Sequence, residues 1–386
     1  MAQQPARVSA AVIRQRVEGG WLLGVVGKRT YEVARGRCYL ASAQPALVEE
    51  PDVDDATGRL RHDSDLIINR VATDVVLKGT ARAPGRTNSF TVSLRIDDFA
   101  RDISVVGERR LEPRHDGRWA FSRPEPVEEV PLTWDEAYGG VDQVGLAEIG
   151  DPFMKIAAKT DTPIEPTASL FAYPRNPYGK GYLIEASPAA VEACRLPRLE
   201  YASSCVTPEN VVRHHFVNWP GAPIPAGVEW LGYSMFPRMA QLGLPASLFD
   251  EAKFPPQQFP EVRSGVLRPA SLSAEAPMGQ RIDVAGVAQG SAVGMRATRV
   301  APGANVHLTY VHPQDAHWSF KLPADVPRVA YRLPGQRADE LRPQIHRVSL
   351  DPDQNRVTLL WVATRPLEEP LTPKQTEAIE HGVIWP

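Results

Sequence analysis

Proline sets the terms for this chain. There are 37 prolines in 386 residues, roughly twice ordinary usage. Each one removes a backbone donor and interrupts helix interiors and central strands alike. Short elements joined by many turns are expected, which argues against a helical bundle or a doubly wound sheet. Apolar, strand-like runs recur along the whole sequence. The proline excess is therefore not read as disorder.

Hydrophobic residues make up 43% and charged residues 23%, as in a soluble protein with a substantial core. The formal charge is −3 and no long basic block occurs, so nucleic acid is not an expected partner. Arg109, Arg110, Arg114 and Arg118 alternate with Glu108, Glu112 and Asp116, the pattern of a solvated hairpin. Cys38, Cys194 and Cys205 are far apart and odd in number. A disulfide framework or zinc ribbon is not expected, and a reducing compartment suits them. Met1 to Arg7 lacks the apolar core of a signal peptide. No apolar run approaches the roughly 20 residues of a membrane helix. The expectation is a cytoplasmic, soluble protein with no membrane partner and no cofactor.

Strand signals are frequent. Trp21 to Val26 is a short apolar run expected to be a buried strand. Residues 45–64 are polar and acidic and read as a loop. Thr73 to Lys78 alternates, with Thr73, Val75 and Leu77 on one face and Asp74, Val76 and Lys78 on the other. Ala83-Pro84-Gly85-Arg86 reads as a turn. Ser89 to Ile96 alternates again, and Ile103 to Val106 follows. Three such strands form an antiparallel meander. Later strands are Asn305–Val311, Ile345–Leu350 and Arg356–Val362, the last two joined by a hairpin loop at Asp351–Asn355. Helix signals are few. Ser187 precedes Pro188, Thr207 precedes Pro208, and Thr372 with Gln375 makes a capping box whose helix Gly382 is expected to stop.

The fold class expected is mainly β, at most α+β. Antiparallel meander or sandwich-like sheets would lie in two lobes, with short peripheral helices and long irregular middle loops. The expected division is a β-rich lobe over 1–118, an irregular middle rich in proline, glycine and aromatics over 119–280, and a second β-rich lobe over 281–386. One continuous domain over about 15–370 is the alternative.

No nucleophile-elbow, phosphate-loop or zincin motif occurs. His214 and His215 are adjacent, so on a helix they diverge by about 100° and do not face one metal. His312 to His317 with Asp315 is either a metal site or a polar turn. Three phrases carry the remaining signal. They are Thr73 to Gly79, Pro131 to Gly140, and Asn176 to Tyr182. Asp74 and Lys78 share a strand face roughly 13 Å apart. Each is placed to pair with a charge on an adjoining strand or to meet a partner. In the second phrase Thr133 is expected to cap a helical turn that Glu136 boxes. Trp134 and Tyr138 would then stack at i, i+4, with Gly139 ending the turn in a left-handed conformation. The pair is either a hydrophobic plug under the loops or an aromatic anchor for a protein partner. Gly139 and Gly140, with Asn176, Tyr178 and Tyr182 of the third phrase, join Trp134, Tyr138, Asp74 and Lys78 as candidate partner-binding residues. Asn176, Tyr178 and Tyr182 sit in a shaped loop, where Asn176 hydrogen-bonds its own backbone and the glycines tolerate positive φ.

These phrases resemble a bacterial domain-of-unknown-function family encoded beside type VI secretion effectors and spike proteins. The similar stretches are Asp65 to Gly79, the strands through Val106, Pro131 to Gly140, and Asn176 to Tyr182. Weaker likeness runs through Trp230 to Arg238, Pro352-Asp353 and Arg356 to Trp361. The chain departs at Gln241 to Ala246, where the family carries a glycine-threonine-tyrosine phrase. The resemblance implies a non-enzymatic adaptor or chaperone. Such a protein holds a secreted effector and helps load it onto the spike tip, often a proline-alanine-alanine-arginine repeat protein. No catalytic residue comes with it. Two other readings stand beside it: a hydrolase of cell-wall or carbohydrate substrate using histidines such as His214 or His312, and a structural part of the secretion particle.

Overall fold

The computed structural model describes residues 9–17, 20–68, 70, 72–147, 171–184, 187–212, 219–240, 244–245, 269–270, 290–367, 369 and 371–386. Its architecture is mostly β, in several antiparallel sheets with short helices between them. The largest sheet runs in the order Ser9–Val17, Gly20–Ala34, Arg356–Leu367, Gln344–Asp351, Thr73–Leu77 and Arg296–Ala297. Arg37–Leu40 folds back on Gly20–Ala34. One pairing in it is parallel, between Gln344–Asp351 and Thr73–Leu77. A second sheet is antiparallel throughout, in the order Leu199–Glu200, Phe99–Val106, Ser89–Ile96, Asn305–Thr309 and His317–Lys321. A third joins Asp339–Leu341, Arg328–Arg332 and Glu380–Ile384. Strands from the first and last thirds of the chain thus pair with each other within both of the larger sheets. The boundaries proposed at 118 and 281 do not separate sheets, because long-range ladder bonds cross them.

The patterns follow from which faces are covered. Val357, Leu359 and Trp361 enter the main core, while Leu360 and Val362 on the opposite face pack with Val26 and Ile68. A strand covered on both faces loses its alternation and reads as a continuous apolar run. Thr73–Leu77 is buried at every position. Val75 and Leu77 face the main core, and Val76 meets Leu60 and Trp230. The segment carrying Ile68 lies directly on the sheet. A Cβ at Gly24 would fall 2.6 Å from the Ile68 Cδ1.

The meander expected from three consecutive strands is not formed: Ser89–Ile96 and Phe99–Val106 pair in the second sheet, while Thr73–Leu77 lies in the largest sheet beside Gln344–Asp351. Several local expectations hold. Ser187 Oγ accepts the Ala190 amide at the start of Pro188–Ala193. Thr372 and Gln375 form the reciprocal capping box. Asp351 caps the Pro352–Gln354 turn, which Asn355 closes at φ 53°. The basic stretch is a hairpin, Leu111–Pro113 with Trp119–Phe121. Two further expectations are corrected. Strand Thr80–Thr87 runs through the supposed turn at Pro84. Its partner Val127–Pro131 pairs only with residues 80–82 and 87, across an irregularity, so the proline occupies an unpaired stretch and no ladder bond is lost. Gly382 does not stop the last helix. That helix ends at Glu377, Ile379 drops into a small core with Leu23 and Tyr331, and Gly382 pairs with Ala330 in a strand.

Leu359 is fully buried and lies opposite Val348 in the central hairpin. Leu359→Ala is expected to lower the unfolding free energy by about 2–5 kcal/mol in urea titration.

Candidate functional site

The second and third phrases meet backbone to backbone. Trp134–Glu136 is a single 3-10 turn with no side-chain cap from Thr133, and Ala137 is already extended. Tyr138–Gly139 then forms a short parallel ladder with Lys180–Gly181. The helical continuation expected here does not occur, and the two rings do not stack. Trp134 enters the main core. Tyr138 enters a second core, its ring edge-on to Tyr173 at 5.2 Å, with Tyr182 also in that cluster. The ladder bonds, formed forty residues away in sequence, outweigh a local helical turn.

Asn176 holds this crossing. Its Nδ2 donates to the carbonyls of Trp134 at 2.9 Å and Tyr138 at 3.1 Å, and its Oδ1 accepts the Tyr178 amide at 3.2 Å. Its own carbonyl accepts the Gly140 amide at 2.8 Å. The approach is too close for side chains. A Cβ at Gly139 would sit 2.1 Å from the Asn176 carbonyl oxygen, and one at Gly140 would sit 2.2 Å from that of Gly179. Both glycines also have positive φ, 144° and 95°. Lys180 Nζ and Arg198 Nε both reach Glu136 Oε2, at 2.9 and 2.6 Å. Burial pushes the Glu136 carboxyl up, but these two cations hold it below its ordinary value.

The first phrase joins through the 227–231 segment. The Leu77 amide donates to the Val228 carbonyl and the Leu132 amide to the Gly79 carbonyl. The Trp134 amide donates to Glu229 Oε2 at 2.9 Å, and its indole N–H to the Trp230 carbonyl at 2.8 Å. Gly227 makes room for the indole, since a Cβ there would lie 2.2 Å from the ring.

Beneath this crossing lies a buried set of charges. Asp74 accepts from Arg70, from the Gly290 amide at 2.8 Å and from Ser291 Oγ at 3.2 Å. Asp63 accepts from Arg70 at 3.3 Å, Arg238 at 2.9 Å and the Tyr233 hydroxyl at 2.6 Å. Asp65 accepts from Lys28 at 2.7 Å, the Val48 amide at 2.8 Å and Arg347, whose guanidinium lies over the Trp230 ring at 5.0 Å. Desolvation alone would raise the Asp65 carboxyl. Arg347 and Lys28 overcome it and hold that carboxyl at about 2. Asp63 is likewise held low against burial, chiefly by Arg238 and then Arg70. Burial draws the Lys28 ammonium down, although Asp65 opposes this. Except for Asp74, sequence reasoning missed this set. The available signal was a charge inside an apolar strand, as at Arg347 between Ile345 and Leu350.

The site residues expected from sequence therefore divide. Trp134, Tyr138, Gly139, Gly140, Asn176, Tyr182 and Asp74 are buried, and Asp74 serves structural pairing. They lie in the interior, Asp74 in the charge set and the others at the crossing, so in this conformation none offers a surface to a partner. Lys78 is exposed and Tyr178 half-buried. Around Tyr178 the crossing does reach the surface. Its hydroxyl donates to the Gly58 carbonyl at 2.9 Å and lies 3.3 Å from Ser234 Oγ. Tyr233, next in the chain to Ser234, is 39% exposed. The hydroxyl of Tyr233 is fixed on Asp63, and one ring face is covered by the Arg238 guanidinium at 4.7 Å. Arg59 bridges Asp135 and Glu229 beside this rim.

The histidine candidates separate as well. His214 and His215 lie outside the described residues. His312 Nδ1 accepts the amides of Gln314 and Asp315 at 3.1 and 2.9 Å, Nε2 faces Asn355 Oδ1 at 2.7 Å, and the ring stacks on Trp318. Both ring nitrogens are engaged in holding a polar turn. Among the described residues, no group of three His, Cys, Asp or Glu side chains is placed to hold a metal ion. Also among them, no helix is long and apolar enough to cross a membrane.

Fold and site together define a mostly β protein whose most distinctive residues lock distant backbone segments against each other. The chain belongs to a family described as uncharacterized proteins conserved in bacteria (DUF2169), whose model matches residues 18–362. No curated protein and no solved structure matches the chain.

Two tests follow from this geometry. Asn176→Asp keeps the shape but places an acceptor against two buried carbonyls. The Tyr138 carbonyl is left without its donor while the Trp134 carbonyl keeps the Ala137 amide, so a loss of about 1–3 kcal/mol is expected in thermal or urea unfolding. The second test uses acid. The depressed carboxyls of Asp63 and Asp65 contribute stability that is complete above their ordinary value of 3.8 and is lost as pH falls. For Asp65 the loss runs down through about 2. Urea midpoints should drop between pH 4 and pH 2, and Asp65→Asn should give a shallower acid limb.

Proposed function

We propose that this protein is a non-enzymatic adaptor that binds another protein, a type VI secretion effector or spike-tip protein, and helps load it for export. The observation that carries the reading is the outer rim of the crossing. Tyr233 and Tyr178 are both tethered through their hydroxyls, so Tyr233 presents one ring face with little rotamer freedom left to lose on docking. Rigid aromatic side chains at a patch centre are the usual anchors of protein interfaces. The long-range lacing behind them supplies a stiff platform. The likeness of the three phrases to the effector-associated family supports the nature of the client. A docked client would bury about 1,600 Å² in total if the interface is of standard size.

The rim replaces the buried rings of Trp134 and Tyr138 as the place of contact. Co-expression with the product of the adjacent gene, followed by affinity measurement, tests this. Tyr233→Ala is expected to weaken the complex by at least about 30-fold, the scale of an anchor worth about 2 kcal/mol. The melting temperature of the free variant serves as the folding control. Full affinity in a folded Tyr233→Ala variant would remove the rim from the interface.

A further inference from the structure

A cleft is lined by the 179–182 part of the loop that carries Tyr178. It lies between residues 139–144, residues 179–183 and the helix Pro188–Ala193, and encloses about 190 Å³. This is below the roughly 300–1,000 Å³ of sites that hold whole small molecules. It is the size of space that one aromatic or long aliphatic side chain fills. The walls include Val141, Leu183 and Cys194. Burial pushes the Cys194 thiol up to about 12, so it is a neutral, weakly polar wall at physiological pH.

The charges near the cleft are mostly committed. Asp142 is buried, and its two oxygens accept the amides of Gly145 at 2.8 Å and Ile184 at 2.9 Å. Lys180 is held by Glu136. Arg195 lines the same cleft, is exposed, and has no ion pair among the described residues. The available charge at the mouth is therefore a cation.

We propose that this cleft is a socket for one large apolar side chain of a docked protein, next to a carboxylate that Arg195 receives. The proposal rests on the docking reading above and deepens it by naming what the client must present: an aromatic or aliphatic residue adjacent to Asp or Glu. The geometry is continuous with the rim, since Tyr178 and Gly179 are neighbours in one loop. A client that covers this loop meets Tyr178 and the socket together. Small pockets that a docked side chain desolvates are where interface anchors concentrate.

Two probes of matched shape decide the charge and the place. Crystals of the full chain are soaked in 4-bromophenylacetate or in 4-bromophenethylamine. Anomalous bromine density is expected in the cleft with the acid and not with the amine, and Arg195→Glu should reverse the preference. No bromine in the cleft, equal occupancy by both, or preference of the wild type for the amine overturns the proposal. A second arm uses the co-expressed complex. Ala193→Trp, at an exposed helix position on the cleft mouth, should plug the socket and weaken client binding at least tenfold with melting unchanged. If that variant misfolds, Arg195→Glu is expected to show the same loss. Full client affinity in these variants, while Tyr233→Ala releases the client, would sink the socket alone. Full affinity in all of them would sink the docking reading with it.

Discussion

The crossing of Tyr138–Gly139 with Lys180–Gly181 depends on there being nothing where a side chain would be. Two backbones approach until a carbonyl oxygen occupies the Cβ position of each glycine at 139 and 140. The carboxamide of Asn176 then supplies the donor that the Tyr138 carbonyl would otherwise lack and a second donor to the Trp134 carbonyl, which also accepts the Ala137 amide. This small ladder divides the aromatic cargo of the second phrase between two cores, Trp134 to one and Tyr138 to the other. Loops that would otherwise be independent of the sheets are fixed to them through four consecutive residues. A buried donor is required there because an orphaned carbonyl in a dry interior costs more than the hydrogen bond itself contributes.

The buried charges do a related job by a different means. Lys28, Asp65 and Arg347 tie the 63–70 segment to two strands of the large sheet. Arg70, Asp63, Asp74 and Arg238 tie it to the 232–240 and 290–291 segments. Such sets contribute little net stability compared with apolar packing, since desolvation offsets most of their attraction. Their effect here is to define register. A slipped segment would strand a charge in the interior, and that penalty is several kcal/mol. The same set reaches the surface at Tyr233, whose exposed ring is oriented by Asp63 below it. Interior and rim are therefore one construction.

The legible parts of this fold were those written in local sequence. Alternation announced Ser89–Ile96, and the cap signals at Ser187 and Thr372 were read correctly because a cap acts within three residues. The mainly β class followed from proline and from short apolar runs. What could not be read was decided by distant partners. Trp134 and Tyr138 looked like i, i+4 neighbours until Lys180 and Gly181 claimed the intervening backbone. Pro84 looked like a turn because nothing local shows that its partner strand leaves residues 83–86 unpaired. Asp65 and Arg347 are separated by 282 positions, beyond the reach of any periodicity. For the candidate site, the three phrases meet in one region of the molecule, but most of their side chains are buried there rather than exposed. The residues that stand out in sequence are held inside, and the orientation of the exposed Tyr233 is not legible locally because its tether, Asp63, is remote in the chain.

Amide hydrogen exchange on the free protein tests the central claim most directly, because the crossing is held by identifiable N–H groups. The amides of Gly140, Lys180 and Tyr182 donate to Asn176, Ala137 and Gly139 respectively. They should exchange as slowly as those of the central strand Arg356–Leu367, opening only when the whole molecule unfolds. Exchange as fast as that of the exposed Arg114–Arg118 turn would show that the crossing opens on its own, and that it holds nothing in place.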